Sequence, residues 1–288
     1  MSASAKTVPS RRVLITAADL KGVSDRLLVP INAIITPSAH DQAAQSGITI
    51  IREQRVTAPL TVKPGRPTRT VTSVARVIDH TNLSPLATRD DIASLCGEAR
   101  DYRFASVCVS PPHVSGAASE TRGTDVAVCS VVAFPLGAHD SQLKASEALE
   151  CVKSGAREID MVANSGLLHS GELRAYYDDI ALVRRAIGRE IKLKVIIEAP
   201  LLDECDIVRA GVLAAEAGAD FIKTSTGVYS QARATDVHLL KRALGSRVQI
   251  KAAGGIRDAQ SACAMLDAGA DRLGTSSSIA IMWELGAR

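Results

Sequence analysis

From residue 74 onward, short apolar runs rich in Val and Ile alternate with longer Ala/Leu-rich segments whose apolar positions recur with helical period. Short runs of this kind suit strands buried on both faces. The longer segments suit the helices that cross between parallel strands. The predicted strands are VARVID (74–79), ASVCVS (105–110), VAVCSVV (126–132), EIDMVA (158–163), LKVIIE (193–198), FIKTS (221–225), VQIKA (248–252) and RLGTS (272–276). Between them Thr88 opens DDIASLCGEAR, Ser141 opens QLKASEALECVKSG, and Gly155, Gly218 and Gly269 stand where helix C-caps belong. The stretches KSGAREID, EAGADFIK and DAGADRLG repeat one theme: a helix end, a glycine turn and a strand. Eight evenly spaced units predict an α/β fold, a (β/α)8 TIM barrel over residues 71–288, rather than a doubly wound open sheet.

The barrel pattern does not extend to the start of the chain. KPGRPTRTVT (63–72) has no periodicity, and Pro64 and Pro67 keep it out of any helix, so a domain boundary is placed there. Residues 1–70 then form an N-terminal extension. Within it VLITAADL (13–20) opens a short apolar segment, and 32–51 reads as strand, Ser38-capped helix, Gly47 stop and strand, a small α/β element. His40 and Asp41 lack a third ligand and count as helix surface.

Composition narrows the function classes. The 288 residues are 46% hydrophobic, enough for a sizeable core, with a formal net charge of only +3 and 3% aromatics. Neither a basic footprint nor a stacking platform for nucleic acid is visible, which leaves small molecules as the expected partners. The six cysteines (Cys96, Cys108, Cys129, Cys151, Cys205, Cys263) have no metal-ligand or redox-motif spacing, so reduced thiols in a reducing, cytoplasmic compartment are expected. No apolar run approaches the roughly 18 residues that cross a bilayer, and residues 1–12 lack the apolar core of a secretory signal.

Barrel active sites gather at the C-terminal ends of the strands. There the sequence offers Asp79, Cys108, Asp160, Lys194, Glu198, Lys223 and Lys251. A lysine inside FIKTS or VQIKA sits among residues that should be core, where an unpartnered charge is costly. Two lysines on adjacent strands would share one cavity, and desolvation with mutual repulsion favours the neutral amine of one of them. Such an amine condenses with an aldehyde or ketone to an iminium ion, an electron sink for cleaving the neighbouring carbon–carbon bond. Asp160 could hold the other, charged lysine and shuttle protons through water, or form a buried ion pair without chemistry.

Two further segments read as a phosphate cradle. AAGGIRD (252–258) follows the seventh strand and RLGTSSS (272–278) forms the eighth strand and the start of the next helix. Gly254, Gly255 and Gly274 would admit close backbone approach, and Ser276 and Ser277 would add hydroxyl donors.

The motifs IDHT (78–81), SVCVSP (106–111), VVAFPLGAH (131–139), EIDMVAN (158–164), LKVIIE (193–198), GADFIKTSTG (218–227), IKAAGGIR (250–257) and GADRLGTSS (269–277) together resemble deoxyribose-phosphate aldolase, from about Val74 to Met282. The resemblance implies reversible cleavage of 2-deoxy-D-ribose 5-phosphate to acetaldehyde and D-glyceraldehyde 3-phosphate without metal or organic cofactor. It implies Lys223 as the Schiff-base lysine, Lys251 as the second lysine that favours its neutral form, and Asp160 as acid/base. It also implies that Asp79, Cys108 and Lys194 line the pocket and that Thr226, Gly227, Gly254, Gly255, Ser276 and Ser277 hold substrate or phosphate; Cys108 fits plain core equally well. A homo-oligomer, dimer or tetramer, is expected. Two departures stand out. After STG the family continues with an aromatic or lysine and a glycine-rich loop, where this chain has the bulkier VYSQARAT (228–235). Arg233 in it reads as solvated surface sooner than as a phosphate partner. Asn82 follows IDHT where an apolar residue is common, which bears on substrate range.

Within the extension, ITPSAHDQAAQSGI is similar to segments near the starts of some bacterial microcompartment proteins. That implies targeting to such a shell or assembly with shell or lumen proteins; a structural arm packing on the barrel or on a second subunit is an equal reading. Other functions left open are a Schiff-base lyase or transaldolase for another sugar phosphate, an oxidoreductase whose FMN phosphate occupies the same cradle, and a non-catalytic scaffold.

Overall fold

The computed structural model describes residues 6–7, 14–30, 33–53 and 70–287. The chain divides into two compact units, Met1–Arg66 and Pro67–Arg288. Most of the stretch at 63–72 lies outside the described residues.

In the first unit, strands Lys6–Thr7, Arg26–Pro30 and Thr49–Glu53 form a parallel sheet, and Leu14–Ile15 pairs in parallel with Ile34–Ile35. Helix Pro37–Ser46 sets Ala39 and Ala43 against Ile15, Leu20, Leu27 and Val29 in a small apolar core. Its cap is Thr36 and not Ser38. Pro37, with φ fixed near the helical value and no N–H to satisfy, occupies the first turn, so the hydroxyl of Thr36 accepts the Ala39 N–H at 3.2 Å. Gly47 ends the helix in the left-handed region, φ 68°, as the sequence indicates.

The second unit is a closed barrel of eight parallel strands. They are β1 (Ile78–Asn82), β2 (Ser106–Val109), β3 (Ala127–Val132), β4 (Glu158–Val162), β5 (Lys192–Ile196), β6 (Phe221–Lys223), β7 (Gln249–Ala253) and β8 (Arg272–Thr275). Each pairs with its sequence neighbours, and β8 pairs with β1 to close the ring. The crossovers carry α1 (Arg89–Tyr102), α2 (Val114–Glu120), α3 (Ser141–Lys153), α4 (Leu173–Ile187), α5 (Glu204–Glu216), α6 (Ala234–Leu244) and α7 (Ala259–Asp267); α8 (Ser278–Glu284) follows the last strand.

Two local readings change. The apolar run VARVID is not one strand: Thr70 accepts the Ser73 N–H and nucleates a short helix, Val71–Ala75, and β1 starts only at Ile78. Val74 and Ala75 are buried by that helix, which produces the same apolar pattern over too few residues to reveal its period. Helix α3 is capped by Asp140, whose carboxylate accepts the Gln142 N–H at 2.8 Å, leaving the Ser141 hydroxyl to donate to Asp179 at 2.7 Å. Thr88 caps α1 through a reciprocal capping box with Asp91. The predicted strands LKVIIE and FIKTS overrun at their C-terminal ends, so Glu198 and Thr224–Ser225 lie in the loops above the barrel, where function gathers.

Candidate active site

Strand periodicity builds the site. Side chains two apart share a face, so Glu158 and Asp160 on β4 both enter the barrel while Ile159 and Met161 pack outward. The parallel register sets Asp160 opposite Lys194 and Lys223 opposite Lys251. All three lysines converge on one carboxylate. Asp160 Oδ2 accepts from Lys223 Nζ at 2.9 Å and from Lys251 Nζ at 2.6 Å, and Asp160 Oδ1 accepts from Lys194 Nζ at 2.9 Å. Asp79 lies on the far side of the same cluster, 2.5 Å from Lys251 Nζ and 3.3 Å from Lys194 Nζ. Asp79, Asp160, Lys194 and Lys251 are fully buried and Lys223 is nearly so.

Burial would lift the Asp160 carboxyl, but Lys194, Lys223 and Lys251 outweigh it and hold the group well below the carboxylate range. Asp79 is held down in the same way, burial being overcome by Lys194, Lys251 and Arg272. Lys251 and Lys194 move the other way: burial disfavours their charge, but Asp160 and Asp79 raise them above the ordinary lysine value. Lys251 is thus favoured in its charged form, and it shares Asp160 Oδ2 with Lys223.

Above this cluster opens a cavity of about 650 Å³. Lys223, Thr226, Gly227, Gly254, Gly255 and Ser276 line it, so the lysine and most of the expected phosphate cradle share one space. Gly227 and Gly254 are pressed together: a Cβ on Gly254, at φ 98°, would stand 3.0 Å from Gly227 Cα and from the Ser230 carbonyl. Ser277 stands back, its N–H donated to Thr275 Oγ1 at 2.9 Å. Gly274 also lines the cavity and has a second role. A Cβ there would meet Lys251 Cε at 2.9 Å, so this glycine clears the path of the lysine side chain.

The VYSQARAT loop is held from two sides. The Glu198 carboxylate accepts the Thr226 N–H at 3.2 Å and the Ser230 hydroxyl, while the Ala232 N–H donates to the Gly254 carbonyl at 3.0 Å. Arg233 pairs with Asp236 at 2.8 Å, in line with a surface reading. Asn82 lines the cavity and its Oδ1 accepts the Ser84 N–H at 3.1 Å. Cys108 packs with Cys129 and Val131 under Leu83 and Phe134, a core environment bordering the charged cluster.

Several participants escape the sequence reading. Glu158 lies 2.6 Å from Lys194, and Arg272 donates to Asp79 at 2.6 Å. The Cys129 thiol donates to Asp160 at 3.1 Å. His80 spans the cavity wall, Nδ1 at 2.8 Å from Ser278 Oγ and Nε2 at 2.6 Å from Glu98. Glu158 had a signal, its alternation with Asp160 in EIDMV; Arg272 opens its strand and resembles a solvated edge.

A parallel eight-stranded barrel with buried lysines around one carboxylate, one of them opening on a polar cavity, defines a lysine-dependent carbon–carbon lyase, a class I aldolase. The chain belongs to the DeoC/LacD family of aldolases, whose family model matches residues 73–281. The deoxyribose-phosphate aldolase of Brevibacillus brevis is 48% identical over 209 residues, covering 72% of this chain and 94% of that protein. That of Thermotoga petrophila is 48% identical over 221 residues, covering 76% and 89%. The tetrameric deoxyribose phosphate aldolase of Aeropyrum pernix superposes with a TM-score of 0.71 at 34% identity, covering 76% of this chain and 93% of that one.

Proposed function

We propose that the chain cleaves 2-deoxy-D-ribose 5-phosphate reversibly to acetaldehyde and D-glyceraldehyde 3-phosphate, with Lys223 as the nucleophile. The observation that carries this reading is the placement of Lys223 Nζ, 2.9 Å from Asp160 and facing the cavity that the glycine-rich turns also line. The relatives' names supply the substrate, and the cavity suits it: a phosphate at Gly227, Gly254, Gly255 and Ser276 leaves the other end of the sugar beside the lysine.

The neutral amine of Lys223 adds to the C1 aldehyde of the open-chain sugar, and loss of water gives an iminium ion. The C3 hydroxyl then gives up its proton, the C2–C3 bond breaks, and its electron pair flows into the iminium to form an enamine. C3 leaves as the aldehyde of glyceraldehyde 3-phosphate. Protonation of the enamine at C2 and hydrolysis release acetaldehyde and regenerate the amine. Asp160, ionised and bonded to both Lys223 and Lys251, relays these protons, through water where the substrate is out of direct reach.

An assay for acetaldehyde released from 2-deoxy-D-ribose 5-phosphate, run beside other sugar phosphates, tests the reading. Faster turnover of another sugar phosphate would move the assignment to a different aldolase or transaldolase. Self-association to a dimer or tetramer is part of the proposal, supported by the tetrameric relative, and light scattering would measure it. For residues 1–70 the proposal is an assembly or targeting module of an otherwise cytoplasmic enzyme. A diffuse signal from their fluorescent-protein fusion in a shell-forming host would refute targeting.

A further inference from the structure

Beneath Lys223 the barrel buries more charge than the lysine chemistry uses. Among the described residues, the cations Lys194, Lys223, Lys251 and Arg272 face the carboxylates Asp79, Glu158 and Asp160, all seven buried. Resting on the aldolase reading above, we propose that Glu158 and Arg272 are positioning residues that set the protonation of Lys223 from below without touching substrate.

Two arms of alternating charge converge on Asp160. In one, Glu158 Oε2 lies 2.6 Å from Lys194 Nζ, which donates to Asp160 Oδ1 at 2.9 Å. In the other, Arg272 Nη1 donates to Asp79 Oδ1 at 2.6 Å, Asp79 Oδ2 lies 2.5 Å from Lys251 Nζ, and Lys251 donates to Asp160 Oδ2 at 2.6 Å. The arms meet again at their base, where Arg272 and Glu158 are 3.5 Å apart, and the guanidinium lies over the Phe221 ring, 5.3 Å from its centroid. Buried ion pairs are costly to assemble, so a pair outside the cavity lining calls for a reason.

The charge count supplies one. Four cations against three anions leave a net charge of +1, and loss of one proton neutralises the cluster. Among the described residues Lys194 pairs with Asp79, Glu158 and Asp160, and Lys251 with Asp79 and Asp160, whereas Lys223 pairs with Asp160 alone. Deprotonating Lys223 therefore breaks the fewest ion pairs. Arg272 cannot yield a proton, and its charge holds the balance at one excess cation. Glu158 occupies Lys194 and keeps that lysine from becoming the one that deprotonates. Among the described residues, the remaining titratable groups facing the cluster are the thiols of Cys108 on β2 and Cys129 on β3, with Lys192 at the rim, 3.6 Å from Glu158. Cys129 is held neutral, its thiol pushed up by burial and by Cys108, whereas the bond to Cys129 lowers the Cys108 thiol, so the net charge given is that of the lysine, arginine and carboxylate groups alone.

The test is the pH profile of kcat/KM with 2-deoxy-D-ribose 5-phosphate, whose acid limb reports formation of the neutral amine. Glu158→Gln adds net positive charge and is expected to move the limb to lower pH by about one unit. Arg272→Gln removes positive charge and is expected to move it to higher pH by about one unit. The double variant is expected to return close to the wild-type limb, and Glu158→Asp and Arg272→Lys to hold it. A purely structural role would lower the plateau and leave the limb in place. Should Glu158→Gln not fold, Arg272→Gln and the double variant read the same limb. Limbs that stay fixed, or that move in one direction in both neutral variants, overturn the proposal. Borohydride trapping of acetaldehyde on wild-type Lys223 separates the two levels: trapping with fixed limbs refutes only this inference, and no trapping refutes the aldolase reading beneath it.

Discussion

Lys251 gives Asp160 its shortest lysine contact, 2.6 Å, and stays protonated because burial is outweighed by Asp160 and Asp79. Removing that ammonium by Lys251→Leu is expected to lower kcat at pH 7 by about 10²-fold, since it removes the like charge beside the nucleophile and one partner of the proton relay. A rate retained at pH 7 would show that the charge on Lys251 does not favour the neutral amine of its neighbour. Lys223→Leu is expected to abolish cleavage, a loss of at least about four orders of magnitude. Gly274→Ala tests placement rather than charge, because its Cβ would stand 2.9 Å from Lys251 Cε and force the lysine aside. A fall of about tenfold or more in kcat with little change in melting temperature is expected, because small misplacements near the chemistry are expensive. Lys223, Lys251 and Asp160 stood out in the sequence for one reason: a charge inside a core strand is costly unless it is paired or used. Glu158 and Arg272 did not, because a charged residue opening a strand usually faces solvent, although the alternation in EIDMV sets Glu158 on the same face as Asp160.

The loop from Thr226 to Arg233 is positioned by Glu198, which sits just past β5 with φ 51°, a backbone conformation uncommon for a side chain of its size. Its carboxylate collects the Thr226 N–H and the Ser230 hydroxyl, so Glu198→Gln exchanges a charged acceptor for a neutral amide with a single acceptor oxygen. The loop should loosen over Gly254 and Gly255. KM for the phosphorylated substrate is expected to rise about tenfold with a smaller change in kcat, and an unphosphorylated aldehyde should show no such rise. Steady-state kinetics on both substrates reads the difference. At this scale the sequence was most informative where punctuation was strong: Thr88 and the turns at Gly155, Gly218 and Gly269 fall where expected, each glycine with positive φ. It misled where competing caps stood side by side. Thr36 displaced Ser38 because of Pro37, and Asp140 displaced Ser141 because Asp179 engages the serine.

Across the whole molecule, eight strands with even spacing made the closed barrel readable in the sequence, whereas the convergence of both charged arms on Asp160 depends on which strands face one another across the ring. The same buried charges shape stability against pH. Asp79 and Asp160 have folded values below the ordinary 3.8, so their contribution is present above that value and is lost only as pH falls further. His80 is lowered from 6.5, chiefly by burial and against its bond to Glu98, so its contribution is present above 6.5 and is lost as pH falls below it. Melting temperature is therefore expected to decline from about pH 6.5 downward, well before the carboxylates titrate, and His80→Gln is expected to flatten that early slope. Scanning calorimetry between pH 5 and pH 8, values on the order of the histidine range, would check it. The most direct measurement of the central claim is to incubate the folded protein with acetaldehyde, reduce with borohydride and map the modified peptide. The expected result is an ethyl group on Lys223, with Lys194 and Lys251 unmodified; a folded protein left unmodified at Lys223, or modified at one of the other two instead, would contradict it.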